Sequence, residues 1–596
     1  MTDQPSGEST SLRLDPAVAR AFARFSGGFW KGDTARTAWG LTLGLAAFLL
    51  LSLAATVALN HWNRWFFDAL ERKDAETAAL AVLVFAGIIV AMAAVGVGIV
   101  LTRETLQVRW RAWIVDRLLG TWLARDRYYH LGITHTEPAN PEYRIADDTR
   151  WATEPLVDLA IGLFSALAGA AAFISILWSV GGSLEVKAGG AAITIPAYMV
   201  LLALAYGGLM SGLMLYVCRP LVSCFARKNE AEGIFRFALM RLRENAESVA
   251  LLRGAESEKQ TFKAAYDTVV TRWLAIVRQH GRLTWITNSS GPMIPVVPLL
   301  FAAPKYFSGE LTLGEVTQLA GAFIQVQMAI SWLVDNYNRI AECYASARRV
   351  MVLVEASEAV ETRLAGPNGQ RIDTATSADA IINLSGVSVH DPAGRPLVNS
   401  ASLSLAPGER VGISGNSSAG KTALVRAIAG LWPWGRGRID TPRGLTTMIV
   451  PQKPYMPMGT LRSALLYPFE QKAIGDDRLI EVLAGVGLQH LAHRLSDEDR
   501  WDQILGTGER QRIAGARAVI HAPDVIVVDD GLSSLEASAQ KALLELVAAE
   551  MPHTAILTFG QRERSDGFDH RRLVLETRSG GSILRASAAA EMPAKG

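Results

Sequence analysis

The run Gly415-Asn416-Ser417-Ser418-Ala419-Gly420-Lys421-Thr422 constrains this chain more than any other stretch. It fits the pattern G-x-x-x-x-G-K-[ST], and its setting supports the match. Glu409 to Ser414 reads as a short strand, and Ala423 to Leu431 reads as the start of a helix. A strand, loop and helix in that order turn backbone N–H groups inward around a phosphate, and the helix N-terminus adds the positive end of its dipole. In such a loop Lys421 places its ammonium on the terminal phosphates and the Thr422 hydroxyl ligates Mg2+. The bland alternative is a glycine-rich turn without a ligand. Residues further along the chain argue against it.

A chain of 596 residues is too long for one core, so several domains are expected. Half of the residues are hydrophobic and 19% are charged. The last third nevertheless looks like an ordinary soluble domain, which concentrates the apolar excess in the first two thirds. The net charge of +2 says little about partners and does not suggest a nucleic acid. Cys218, Cys224 and Cys343 are scattered without metal-ligand spacing and read as buried or lipid-facing thiols. Residues 1–36 are polar, carry Arg13, Arg20, Arg24, Lys31 and Arg36, and show no cleavable signal.

Six apolar stretches precede the phosphate loop, near 37–60, 78–102, 155–181, 192–217, 284–304 and 313–335. A hydrocarbon core of about 30 Å needs about 20 helical residues, and most of these stretches supply them. The fifth is the weakest, broken by Pro292, Pro295, Pro298 and Pro304. The long connections Arg103–Arg150 and Arg219–Arg282 are arginine-rich, whereas 61–77, 182–191 and 305–312 are short and less basic. The positive-inside rule then puts both termini and both long loops in the cytoplasm. In the first long loop Trp110, Trp113, Leu118, Leu119 and Trp122 recur at helical spacing, which extends a helix beyond the membrane as a packing stripe.

The expected division is a cytoplasmic segment 1–36, a transmembrane domain 37–350, a linker 351–378, a nucleotide-binding domain 379–587 and a disordered tail 588–596. Gly366-Pro367-Asn368-Gly369 breaks the helical pattern within the linker. Short β-rich segments then alternate with helices, the mark of an α/β domain.

The partners of the phosphate loop follow in order. Val525–Asp529 is an apolar strand ending in a carboxylate, and Asp529 is suited to the Mg2+ shell. Upstream, Leu505-Gly506-Thr507-Gly508-Glu509 opens an Arg/Ala helix, and it resembles the signature motif of ABC transporters. Gln452, in Val450-Pro451-Gln452, is similar to the family's Q-loop glutamine. The resemblance implies ATP and Mg2+ as ligands. ATP would be held by residues 415–422 together with Gly506, Gly508 and Glu509, and Mg2+ by Thr422, Gln452 and Asp529. Hydrolysis would fall to Gln452 and the positions filled by Asp530 and Gln561. In the membrane half, Asn63–Leu70, Tyr128-Tyr129, Asn140–Asp148, Arg243–Glu247 and Asn336-Tyr337 resemble SbmA/BacA-like peptide uptake proteins. The version of that group fused to a nucleotide-binding domain (YddA- and BclA-like) is the closer match, through Ala429–Gly437 and Pro451–Pro468. The fold implied is an all-α polytopic membrane domain of six helices, ABC exporter-like, followed by a C-terminal α/β P-loop ATPase domain. The protein implied is a homodimeric half-transporter in a bacterial inner membrane, its nucleotide domain cytoplasmic. Its cargo would be a peptide, a bleomycin-type glycopeptide or cobalamin.

Several positions depart from the family pattern. The glutamate that polarises the attacking water is replaced by Asp530, and the signature serine by Gly506. Glu536 stands at the D-loop aspartate and Gln561 at the switch histidine. The adenine-stacking aromatic falls on Asp391, beside His390. Residues for binding look intact and residues for hydrolysis look weakened, so slow turnover is expected. Three other readings stay open: a proton-driven transporter whose nucleotide domain only regulates, a degenerate half that pairs with an intact paralogue, and, ranked last, export of acyl-CoA or lipid.

Overall fold

The computed structural model describes residues 15–134, 136–138, 140–188, 191–364, 371–376, 381–416, 420–469, 474–561, 567–578 and 580–587. The turn Gly366–Gly369, the loop residues Ser417, Ser418 and Ala419, and the tail 588–596 therefore lie outside the described residues, as does the side chain of Cys218. The chain divides into two compact units, Met1–Gly120 with Pro138–Val354, and Thr121–Glu137 with Glu355–Gly596.

The first unit is built on long helices: α1 (Ala35–Glu71), α2 (Ala75–Leu123), α4 (Thr149–Gly181), α5 (Tyr198–Glu244), α6 (Ala255–Ser290), α7 (Met293–Phe307), α8 (Leu313–Asp335) and the start of α9 (Tyr337–Arg363). Among the described residues, six spans are long and apolar enough to cross a membrane. Without water to satisfy a broken backbone, such runs must close their hydrogen bonds internally, and a helix does so residue by residue. Large side chains such as Leu83, Val90 and Leu101 stay exposed on these helices, as lipid-facing residues do. Cys224 and Cys343 are free and buried.

Two details differ from the linear reading. The stretch beginning at 192 opens as a strand: β1 (Ser183–Ala188) and β2 (Ala191–Pro196) form an antiparallel hairpin, and the helix starts only at Tyr198. The β-branched run Ile193-Thr194-Ile195 favours extension, and Pro196 gives it a natural stop. The fifth span is two helices, because Gly291-Pro292 separates α6 from α7.

The seam between α1 and α8 is polar. Arg64 pairs with Glu315 at 2.9 Å. Asp68, Glu71 and Glu315 accept the first free N–H groups of α8, from Gly314, Leu313 and Thr312 respectively. Deeper in, Asn60 donates to the Gln318 carbonyl at 3.1 Å, and the Gln318 amide meets His61 Nδ1 at 3.1 Å. Gly314 lets the helices close, since a Cβ there would run into the Arg64 carbonyl oxygen and the Asp68 carboxylate.

The second unit is organised by a ten-stranded sheet in the order β3-β7-β4-β5-β14-β13-β6-β12-β11-β8. Its strands are β3 (Asp373–Thr376), β4 (Ile382–His390), β5 (Pro396–Leu405), β6 (Arg410–Gly415), β7 (Gly435–Thr441), β8 (Thr447–Pro451), β11 (Val525–Asp529), β12 (Ala555–Gly560), β13 (Arg571–Glu576) and β14 (Ser582–Ala586). The pieces β9 (Gly459–Thr460) and β10 (Glu498–Asp499) pair separately. The run β13-β6-β12-β11-β8 is parallel throughout. Side chains of β11 alternate between two cores. Val525 and Val527 pack with Ile413 and Leu424, whereas Ile526 and Val528 pack with Ile513 and Trp501. Helices α10 (Lys421–Ile428), α11 (Thr507–His521) and α12 (Ala537–Glu550) flank the sheet. The short helix α3 (Arg127–Ile133) belongs to this unit: His130 Nε2 lies 3.2 Å from the Leu431 carbonyl, and Ile133 packs on the core around β6.

Gly314→Ala should lower the melting temperature of the detergent-purified protein, through overpacking worth about 2 kcal/mol. Gly96→Ala, whose new methyl would meet open space, should leave it within a degree or so of wild type.

Candidate functional site

Four parallel strands, β6, β12, β11 and β8, end at one edge of the sheet, and several of the sequence-predicted residues lie there. Strand β6 ends at Gly415 and α10 begins at Lys421, two residues earlier than the linear reading placed the helix. Gly420 caps α10 with φ +80°, and a Cβ there would press on Val398 and on the Leu397 carbonyl. Only glycine meets both demands without strain. Lys421 is buried, and its Nζ donates to the carbonyls of Gly415 at 2.5 Å and Asn416 at 2.9 Å. Burial holds its pKa below the ordinary lysine value, against the pull of the Asp530 and Asp529 carboxylates.

Across the edge, Thr422 Oγ1 donates to Asp529 Oδ1 at 3.4 Å. Burial raises the Asp529 pKa above the usual carboxylate value, and the neighbouring Asp530 charge adds to this. The Thr422 hydroxyl, Arg426 and Lys421 pull the other way. A hydroxyl and a carboxylate side by side are the hard oxygen donors that Mg2+ takes when phosphates and waters complete its shell. The donor set therefore fits that ion, and Thr422 and Asp529 would hold it. Gln452 is exposed just past β8, one residue beyond Pro451, which is level with Asp529.

Register explains the rest of the cluster. Asp529 stands level with Pro451 on one side and Phe559 on the other. One or two residues further along each strand come Gln452, Asp530 and Gln561, and all three line one cavity of about 780 Å³ with Ser533, Thr558, Asp569 and Arg572. Asp530 has a left-handed backbone (φ +47°), its N–H donates to the Phe559 carbonyl at 3.1 Å, and it bridges to Pro451. A Cβ on the next residue, Gly531, would collide with the Val450 carbonyl oxygen. The backbone that carries the Asp530 carboxylate is thus pinned from both neighbouring strands.

The remaining predicted residues sit on α11. Gly506 is its N-cap, and the Glu509 carboxylate accepts the Gly506 N–H at 2.9 Å while also meeting His490 Nε2 at 3.1 Å. Glu509 therefore has a capping role. Gly506, Gly508 and Glu509 are not among the described residues that line the cavity. Asp391, at the expected aromatic position, is buried and closes a turn, accepting from the Arg395 N–H at 2.7 Å and from Arg395 Nε at 2.6 Å. His390 is the last residue of β4, and its carbonyl accepts from Trp432 Nε1 at 2.7 Å.

Sequence reasoning passes over Gln511. It is fully buried, and it donates to the Gln452 carbonyl and accepts from the Ser534 N–H. The available signal is an amide whose helical neighbours three and four residues on, Ala514 and Gly515, are small and buried. The Asn140–Asp148 motif of the membrane half also acquires a structural meaning. Asp148 is wholly buried and receives Arg349 Nη2 at 2.6 Å and Arg144 Nη1 at 3.0 Å.

Comparison with known proteins agrees with this geometry. Residues 32–307 match the family model for ABC transporter transmembrane region 2, and residues 398–533 match that for ABC transporter. The chain is 28% identical to the Escherichia coli inner membrane ABC transporter ATP-binding protein YddA, over 89% of this chain and 92% of that protein. It is 30% identical to an uncharacterised ABC transporter ATP-binding protein of Synechocystis, covering 85% and 76% of the two chains. The human lysosomal cobalamin transporter ABCD4 is 24% identical over 80% of this chain and 82% of its own length. The fold matches a bacterial Atm1-family ABC exporter with ATP bound at a TM-score of 0.66 and 17% identity, over 90% and 93% of the two chains.

Because the raised pKa of Asp529 reflects a charge that burial disfavours, the nucleotide-free unit should lose stability as pH rises through that value. Asp529→Asn removes the charge. It should raise the nucleotide-free melting temperature by about 2 °C at neutral pH. It should also abolish the extra thermal shift that Mg2+ adds to that of ATP alone.

Proposed function

The chain belongs to the ABC transporter family, and from that premise we propose that it is a half-transporter working as a homodimer. In this reading it uses ATP at a partly degenerate site to import peptides or another hydrophilic compound across a bacterial inner membrane. The observation that carries the ATP-site part is the convergence of Lys421, Thr422, Asp529, Asp530, Gln452 and Gln561 on one sheet edge. Lys421 meets the β- and γ-phosphates after exchanging its loop carbonyls for phosphate oxygens, a gain for a buried ammonium. Thr422 and Asp529 would hold Mg2+, which would supply positive charge to offset the charge that develops on the phosphates. Asp530 orients the attacking water and accepts its proton. Gln561 donates a hydrogen bond to a phosphate oxygen but has no titrating proton to give.

Slow turnover follows from the pinned edge. Aspartate is one methylene shorter than glutamate, and the bonds of Asp530 to Phe559 and Pro451 keep the backbone from advancing to compensate. A shortfall of about 1 Å in such a group costs on the order of a hundredfold in rate. Two identical sites share the defect. For the cargo, support comes from the uptake-type motifs of the membrane half and from a relative that is named for cobalamin, a large polar molecule. The proton-driven alternative needs carboxylates free to carry a proton. Asp158 is instead engaged by Gln107, Arg103 and Arg339, and Glu315 by Arg64.

ATP turnover of the purified protein in lipid nanodiscs tests this reading beside Lys421→Ala and Asp530→Glu. Slow wild-type turnover, none in Lys421→Ala and a rise of about tenfold or more in Asp530→Glu are expected. Tight ATP binding without turnover in any of the three would overturn it in favour of a regulatory site or a missing partner subunit.

A further inference from the structure

Residues 16–32 hold Arg20, Arg24 and Lys31 and no acid, interleaved with Phe22, Phe25, Phe29 and Trp30. Their first part is the helix Pro16–Ser26, N-capped by the Asp15 carboxylate, which accepts the Ala17 N–H at 2.8 Å. At helical spacing Val18, Ala21, Phe22 and Phe25 share one face, and all four are buried or half-buried. Arg20 and Arg24 lie off that face, one turn apart and exposed. Arg20 Nε donates to the Pro16 carbonyl at 3.2 Å. Among the described residues neither arginine pairs with a carboxylate.

Two anchors fix how this helix lies. At its start the Asp15 N–H donates to the Tyr344 hydroxyl at 2.8 Å, and at its end the Ser26 carbonyl accepts from Trp110 Nε1 at 3.2 Å. Tyr344 follows Cys343, whose thiol meets the Ala152 carbonyl of α4, and two residues further along α4 Glu154 pairs with Arg111 of α2. Both ends are therefore level with residues 110–111 of α2, and the helix runs across the bundle instead of along it. The Arg117 guanidinium over the Phe25 ring at 5.2 Å and the bond from Trp30 Nε1 to Thr42 Oγ1 at 3.0 Å hold the segment to α2 and α1. Lipid-facing side chains begin beside that level: Trp39 and Leu43 on α1, Leu101 and Val108 on α2, all exposed.

We propose that the exposed face of the helix Pro16–Ser26, with Arg20 and Arg24 at its centre, holds the headgroup phosphate of an anionic phospholipid. The inference rests on the membrane half of the proposed reading and not on its ATP site. Two like charges one turn apart disfavour a helix unless an anion lies against them. A phosphate suits the pair, since each guanidinium can present two N–H groups to its oxygens. The apolar face is spent on protein, so the cations are held at one depth while the acyl chains continue along the apolar surfaces of α1 and α2. Lys31 adds to the same positive field. A zwitterionic lipid brings its own ammonium to that field, and an anionic one does not.

The detergent-purified full chain, stripped of lipid, is titrated with short-chain phosphatidylglycerol or phosphatidylcholine, and bound lipid is counted by native mass spectrometry. Phosphatidylglycerol should bind at least about tenfold more tightly, with a preference that shrinks as salt rises from about 0.1 to about 0.5 M. Arg20→Gln and Arg24→Gln should each weaken its binding about fivefold, and the pair together about twenty-five-fold. Arg20→Lys with Arg24→Lys should retain most of the affinity. Arg443→Gln, which removes an exposed arginine of the nucleotide unit, should change nothing. Should the double glutamine variant not fold, the two single variants decide. Equal binding of the two lipids by the wild type, undiminished binding in the Gln variants or an equal loss in Arg443→Gln overturns the proposal. Binding of soluble polyglutamate as tight as that of phosphatidylglycerol also overturns it, in favour of an acidic protein partner. ATP enters none of these measurements, so their failure is distinct from failure of the nucleotide-site reading.

Discussion

The parallel ladder β6-β12-β11-β8 is the constraint on which the rest of the nucleotide unit depends. Parallel strands have all their C-terminal ends on one edge, so residues far apart in sequence arrive at the same place whenever their strands share a register. Pro451, Asp529 and Phe559 are level, which obliges Gln452, Asp530 and Gln561 to crowd together. Apolar side chains on both faces keep water from the strands and hold that register, since a slip of one residue would turn Val525 and Val527 into the opposite core. The electrostatics follow from the same arrangement. Two adjacent carboxylates and a buried ammonium are brought to the mouth of one loop, with Thr422 and Arg426 to temper them.

Much of this was legible in the residues. The Gly/Lys/Thr spacing of the phosphate loop, the apolar strand ending at Asp529 and the six hydrophobic stretches are local patterns, and local patterns survive folding. The hairpin at Ser183–Pro196 was hidden inside an apolar run, because hydrophobicity alone does not separate a strand from the start of a helix. Gln511 was illegible for another reason. Its meaning lies wholly in partners 59 and 23 residues away, and nothing in its neighbourhood along the chain announces them. Asp391 shows the reverse case: a position expected to stack on a base is occupied by a turn-closing carboxylate that grips Arg395.

In the membrane unit, polar residues do what the apolar stretches cannot. Lipid-facing leucines give no preference for one helix neighbour over another, so specificity falls to small residues and to hydrogen bonds. Gly314 admits the close approach, and Arg64, Asp68, Glu71 and Glu315 fix which turn of α1 meets the start of α8. Asp148 plays the same part at its own location, with Arg144 and Arg349 closing around it. Motifs that resemble those of a transporter family are here also the pieces that specify its packing.

The short helix Arg127–Ile133 has a consequence for biogenesis. It is grouped with a unit whose other residues begin at Glu355. During synthesis it therefore leaves the ribosome long before the surface it rests on exists. At ordinary elongation rates the delay is on the order of tens of seconds. Until then His130 lacks the Leu431 carbonyl, and Ile133 lacks its apolar bed. Assembly of the nucleotide unit is therefore bound to the earlier insertion of the helices on either side of residues 121–137. A C-terminal fragment expressed alone would carry an uncovered hydrophobic site where that helix belongs.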